Sequence, residues 1–278
     1  MQSDRHVSRN FLVLVSGEAV SRLIAFAVTV FIARVLGAEG YGVIAFAAGV
    51  NLYFSKIADF AIEWIGAREI AKQRDRLEAL VAAVLGTRLL FVCILMVLAI
   101  GSVQLFMSGP ERDVLSLFLL TMIPMAANTK WVHLGLEDAR PIGLARVLGE
   151  ITALVIVLAV LMQSIELWVP PVAQIASEVL VAVYLIVVLR QRGYRIRLSL
   201  NLKVALPLFV AGFPLLVHIL LGLFIYNSDL IFLRVFRDSE QVGFYAAAYT
   251  LISLISNLGL SYGMSLTPAF ARLGAGTD

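Results

Sequence analysis

Five basic side chains interrupt strongly apolar stretches of this sequence: Arg22, Lys56, Arg88, Lys130 and Arg146. A charge at bilayer depth costs about 2.5–3.5 kcal/mol on insertion scales, so such groups face a protein interior or a water-filled cavity. Gathered around one cavity they suit a multiply charged anion, because each cationic donor adds a charge-assisted hydrogen bond. The same set repels organic cations. Four acids are candidates for coupling to an ion: Glu178, Asp59, Glu150 and Asp229. Glu178 has no basic residue within a helical turn, and burial would let it bind and release a proton or, with Gln174 and Ser177, help coordinate a cation. The competing reading is a protonated carboxyl bonded to a neighbouring helix. Asp229, in "YNSD", either lines a groove or holds Arg234 or a water.

Spacing tempers several of these assignments. Glu18 and Arg22 stand at i, i+4, as do Arg146 and Glu150, and Lys56 and Asp59 stand at i, i+3, so each pair shares a helix face and can neutralise itself. Lys130 adjoins Trp131, an arrangement that suits snorkelling to the headgroups with the indole as an interfacial anchor. Arg88 has no acid within one turn and is the cleanest candidate for substrate contact. Glu39 and Glu240 are expected to cap helices. Other chemistry finds little support. His6, His133 and His218 lack spaced partners for a metal, Cys93 is single and lies in an apolar run, and no phosphate-binding loop or nucleophile elbow occurs. No cofactor and no metal is expected.

The elements that must carry these residues are membrane helices. Sixty per cent of the chain is hydrophobic and 15% charged, with a mean hydropathy of +0.92, against about 45–50% apolar and about 25% charged in a soluble domain. Stretches of about 20 apolar residues predict an all-α polytopic bundle of about eight spanning helices: Asn10–Leu36, Tyr41–Trp64, Leu80–Met107, Val114–Gly135, Ile142–Met162, Leu167–Leu189, Val204–Phe236 and Val242–Ala271. The N-terminal "MQSDRHVSRN" precedes a run that is long and carries Glu18 and Arg22, so it reads as a retained first helix. Lys and Arg crowd alternate loops, above all "AREIAKQRDRLEAL" and "RQRGYRIRLSLNLK", while the opposite loops hold only Arg112 and Arg237. That bias predicts a cytoplasmic N-terminus and explains the basic loops without a nucleic-acid partner. The opposite loops, "GAEG", "SGPERD", "QSIELWVP" and "RDSEQ", are very short, which argues against an enzyme that holds donor and acceptor outside the bilayer. Pro124, Pro170, Pro171, Pro207, Pro214 and Pro268 fall in or beside spans, and Pro207 and Pro214 with Gly212 predict a bent or broken seventh helix.

The chain also repeats itself. Aligning "VTVFIARVLGAEGYGVIAFAAG" with "DLIFLRVFRDSEQVGFYAAAY", with one residue inserted in the second break, brings Arg34 onto Arg234, Glu39 onto Glu240, Gly42 onto Gly243 and Ala45 onto Ala246. Six predicted helices separate the copies, so the repeat is parallel, about an axis along the membrane normal. It divides the chain into a six-helix lobe, residues 1–200, and the first two helices of a second lobe, residues 201–278. On this reading the chain is expected to be a fragment with about four helices missing.

The words "SRLIAFAVTVFIARVLGAEGYGVIAFA" and "NSDLIFLRVFRDSEQVGFYAAAYTL" resemble the polysaccharide transporters of the multidrug/oligosaccharidyl-lipid/polysaccharide flippase superfamily, which includes the bacterial O-antigen flippases. The resemblance implies two six-helix lobes facing a central cavity, alternating access, and a polyprenyl-pyrophosphate-linked oligosaccharide carried to the outer leaflet of the bacterial cytoplasmic membrane. It implies membrane lipids and the polysaccharide polymerase and chain-length machinery as partners, with the pyrophosphate held by the basic set above. The lipid II branch carries an Arg-Asp pair where this chain reads Ala27-Val28-Thr29, which argues against a peptidoglycan precursor. Two rival readings are a cation-coupled small-molecule exporter of the same superfamily and a non-transporting fragment that acts as an assembly partner.

Overall fold

The computed structural model describes the backbone of residues 2–253, 255 and 256. Among them the structure is entirely helical apart from its turns: α1 (Gln2–Asp59), α2 (Ile62–Lys72), α3 (Leu77–Phe106), α4 (Pro110–Leu119), α5 (Met122–Ala127), α6 (Lys130–Gly135), α7 (Ala139–Leu161), α8 (Val169–Gln191), α9 (Leu202–Phe236) and a further helical stretch, 239–253. Six described segments are long and apolar enough to cross a membrane. The first contains two predicted spans, because Gly37 (φ 69°, ψ −179°) interrupts α1. That left-handed φ suits glycine, which has no Cβ to clash. The rest of the predicted eighth span, with Pro268, lies outside the described residues.

Packing partners fix the direction of each element. Before Gly37, α1 runs parallel to α7. A Cβ at Gly17 would meet Gly143 Cα at 3.0 Å, and further along Val28 and Ile32 share a core with Val157, Leu161 and Val169. After Gly37 it runs against α3, with Val43 in one core with Val103, and Ala58 bonded to Arg88. The two legs therefore form a hairpin. All the basic loops gather at one end of the bundle, where a third core joins Ile62, Ile70, Trp131, Leu189 and Leu208.

Three breaks differ from the predicted spans. The second span ends at Asp59 and not Trp64, because Phe60 and Ala61 adopt left-handed φ of 51° and 57°. The chain then restarts as α2, which buries Ile62, Gly66 and Ile70 and leaves Trp64 exposed. The fourth span is three helices. Pro124 cannot donate to the Leu120 carbonyl, which takes Ile123 N at 3.3 Å, and the chain tightens at Leu120 and Thr121. Asn51 closes this break by donating to Thr121 Oγ1 at 3.2 Å. A second interruption at Asn128 and Thr129 starts α6. In contrast, α9 runs as one helix through Pro207 and Pro214, so of the expected bend or break there is no break. Its Gly212 lets the helix approach Phe60, where a Cβ would meet the carbonyl oxygen at 2.8 Å.

The connection from α8 to α9 is pinned along α3: Arg195 N donates to Glu78 Oε1 at 2.8 Å, and Ser199 N to Ala82 O at 3.0 Å. From there α9 passes along the second leg of α1, with the Tyr53 hydroxyl donating to Leu223 O at 3.2 Å.

Candidate functional site

In the half of the bundle near the basic loops, charged side chains from six helices form a series of mixed sign. The Arg88 guanidinium, on α3, donates from Nη2 to Asp59 Oδ1 at 2.8 Å and from Nε to Ala58 O at 3.1 Å. Glu63, on α2, adds its charge to the field at Arg88 and accepts from Lys130 Nζ, at the start of α6, at 2.7 Å. The charges of Lys130 and Arg146 both reach Glu178 on α8. Arg146 in turn has its Nε 3.9 Å from Glu150 Oε1, one turn along α7. Close packing of α7 on α8 makes this possible, since a Cβ at Gly149 would meet Ser177 Oγ at 2.8 Å.

Burial divides the predicted cations. Only 4% of the Arg88 side chain is exposed, against 39% of Lys130 and 51% of Arg146. Arg88 has no acid within one turn, as expected, but finds its partner Asp59 on another element. It has no surface left for a ligand in this conformation, whereas Lys130 and Arg146 keep theirs. Lys56 is exposed, and Asp59 is turned to Arg88. Arg22 is half-buried and partnered. The register of Gly17 on Gly143 sets Arg22 level with the turn from Arg146 to Glu150. The Glu18 side chain lies outside the described residues. Glu178 has no basic residue within a turn of α8, but it feels the charges of Arg146 on α7 and Lys130 on α6. Trp131 is no interfacial anchor: 1% exposed, it packs its ring over Gly66, where a Cβ would lie 2.6 Å from Cε3.

A second charged cluster closes the opposite end. Glu111, in the first turn of α4, is 8% exposed and accepts three hydrogen bonds on Oε1: Arg234 Nε at 3.1 Å, Arg234 Nη2 at 2.8 Å and Ser239 Oγ at 2.7 Å. Beside it the repeated turns meet. A Cβ on Gly42 would fall 1.7 Å from Ser239 O, and one on Gly243 1.9 Å from Ala38 O. In the register that sets Gly42 on Gly243, Ala38 falls on Ser239, so the two contacts are reciprocal. Asp229 does not hold Arg234. It accepts from the Tyr245 hydroxyl and from Leu230 N. Asp238, and not Glu240, caps the helical stretch 239–253, accepting from Gln241 N at 3.0 Å.

Sequence reasoning missed Glu63, Glu111 and His133. His133 is fully buried, with Nε2 3.1 Å from Leu185 O and Nδ1 3.5 Å from Asp138, which Arg192 also contacts. An available signal for Glu111 was its place one residue after Pro110, where the helix dipole favours a carboxylate. Its partner lies 123 residues away, beyond any local spacing rule.

The fold has solved counterparts. A MOP superfamily transporter from Pyrococcus furiosus Vc1 (DSM3638), described as having a binding pocket of reverse polarity that suggests a different function, is 19% identical and superposes with a TM-score of 0.55 over 92% of this chain and 60% of that one. A multidrug resistance MATE family transporter of the MOP superfamily, in an outward-facing conformation, is 18% identical, with a TM-score of 0.53 over 96% of this chain and 69% of that one. The chain thus spans less than two thirds of the first transporter's length. No curated protein matches the chain. With its apolar helices, this is a multi-pass membrane protein with a MOP-type transporter fold. The sequence match names the family: the model for polysaccharide biosynthesis proteins covers residues 7–274, and the chain belongs to that family.

Proposed function

We propose that the protein acts in a flippase that moves a polyprenyl-diphosphate-linked oligosaccharide across the bacterial cytoplasmic membrane, for O-antigen, capsule or exopolysaccharide synthesis. The observation that carries this reading is the placement of Lys130 and Arg146, drawn from separate helices and partly exposed near the basic end. The family supports a glycan substrate. With the basic loops cytoplasmic, these cations lie on the side where a lipid-linked precursor is loaded. Residues 1–200 form the first lobe and residues 201–278 begin the second, and the lobes rock to expose the site to each side in turn.

In this mechanism Lys130 and Arg146 hold the diphosphate, with Lys56 and Arg22 as further cations, and Arg88 positions the wall by tying α3 to the end of α1. Each cation is already near an acid, so a diphosphate competes with Glu63, Glu150 and Glu178 for the same donors. That competition gives release as well as capture, since the acids take the cations back when the substrate leaves. Glu178, with Asp59, Glu150 and Asp229 as further candidates, carries the coupling ion. Polymerase and chain-length proteins are the expected partners.

The acids also favour a second reading. Asp59, Glu63, Glu150 and Glu178 outnumber Arg88, Lys130 and Arg146 in the series, a balance a cation-coupled exporter of small molecules would also suit. Cells lacking their own flippase separate the two. Surface glycan restored by the full-length protein, and reduced about tenfold or more by Lys130→Gln with Arg146→Gln at equal abundance, is the expected result. Restored export of organic cations with no surface glycan would favour the exporter.

A further inference from the structure

Glu111 and Arg234 come from opposite sides of the lobe boundary, from α4 and α9, and Ser239 begins the next helix. A single carboxylate oxygen takes both Arg234 nitrogens and the Ser239 hydroxyl, at 3.1, 2.8 and 2.7 Å. Gly109 (φ 77°) and Pro110 at the first helical position turn the chain so that α4 points its N-terminus at this spot, where the dipole favours the carboxylate. A buried ion pair is dear to form and does not by itself indicate added stability, but it fixes one register strongly once made. Next to it, the backbones at Gly42 and Gly243 approach so closely that neither position has room for a Cβ.

We propose that Glu111, Arg234 and Ser239 form a lock that holds the two lobes shut at the end remote from the basic loops, and that its release opens that end during transport. This rests on the two-lobe reading given above, and not on the identity of the molecule carried. The lock has the chemistry a reversible gate requires. An apolar seam of the same area would gain free energy only when closed, since opening exposes it to water. An ion pair regains hydration on both partners when it parts, so the open state is compensated. A route for that water is present. A recess of about 670 Å³ lies over the pair, lined by Glu39, Pro110, Arg237, Asp238 and Gln241. Arg234 is the accessible partner, 33% exposed against 8% for Glu111, so hydration begins on the guanidinium. The Arg234 Nη1 bond to Arg237 O, at 3.3 Å, keeps the side chain beside the seam.

The test reads opening directly and needs no substrate. In a background with every native cysteine, Cys93 among them, changed to serine, a single cysteine replaces Ala246, which is buried in one core with Val28, Ile32 and Tyr41 across the boundary. Its reaction with a water-soluble maleimide is timed in membrane fragments open on both faces, using the full-length protein. Ala126→Cys, buried in the first-lobe core, is the reference. Glu111→Gln and Arg234→Gln are each expected to raise the rate at Ala246→Cys about tenfold or more, with the rate at Ala126→Cys unchanged. Unchanged rates at both sites would overturn the proposal. A parallel rise at both would overturn it too, because the cluster would then keep the fold and not gate it. Absence of glycan display from the parent protein, with these labelling results intact, would count against the flippase reading alone.

Discussion

Arg88 shows what a side chain's surroundings add to its type. Its guanidinium bonds the Ala58 carbonyl, in the last turn of α1, and the Asp59 carboxylate beside it. Removing the guanidinium strands a carboxylate and a carbonyl in a confined place, and breaking a buried pair costs about 3–5 kcal/mol. Arg88→Ala is therefore expected to lower the thermal midpoint of the purified protein in detergent and its abundance in membranes. Arg146→Ala, at a half-exposed position, is expected to leave both nearly unchanged. An unchanged midpoint in Arg88→Ala would show that the pair holds nothing. The basic residues and their membrane depth were legible in the sequence, but their partners were not. Spacing rules see acids one turn away, whereas Asp59, Glu63 and Glu111 meet Arg88, Lys130 and Arg234 across 29, 67 and 123 residues. The Arg146 and Glu150 pair, at i, i+4, was within reach of such a rule.

At the scale of elements, hydropathy located the spans well because any continuous apolar helix answers the same demand for internal hydrogen bonding. It did not locate the interruptions at Phe60 and Ala61, or at Thr121, since those depend on φ and on one missing donor and not on hydrophobicity. The repeated turn was legible as a word, and its glycines prove to be where the two copies touch. Gly42→Ala and Gly243→Ala each put a methyl group against a carbonyl oxygen, at 1.7 and 1.9 Å before any shift. Overpacking of this kind costs about 1–3 kcal/mol, and here it falls on the closed seam. Both variants are expected to label faster at Ala246→Cys while keeping their helix content by circular dichroism. Parent-like labelling would mean that the backbones separate without consequence. Gly49, with nothing within 4 Å of its Cβ position, is the matched control.

The whole molecule joins a helical bundle, a basic end with mixed charges near it, and a remote end where two related turns meet face to face. The family resemblance written in those turns agrees with the sequence match over residues 7–274, and the MOP-type fold agrees with the predicted bundle. A cationic cavity was the sequence expectation, and the described structure sets acids beside those cations, so on the proposed reading an anionic substrate has to displace the acids. The decisive measurement is equilibrium binding of a polyprenyl-diphosphate-linked oligosaccharide to the purified full-length protein, with the matching monophosphate and an organic cation as competitors. A charge-assisted hydrogen bond contributes about 1.5–3 kcal/mol, so Lys130→Gln or Arg146→Gln should each weaken the diphosphate by about tenfold or more. The account predicts that preference for diphosphate over monophosphate and its loss in both variants. Equal binding of both phosphates, or displacement of neither by anything but the organic cation, would contradict it.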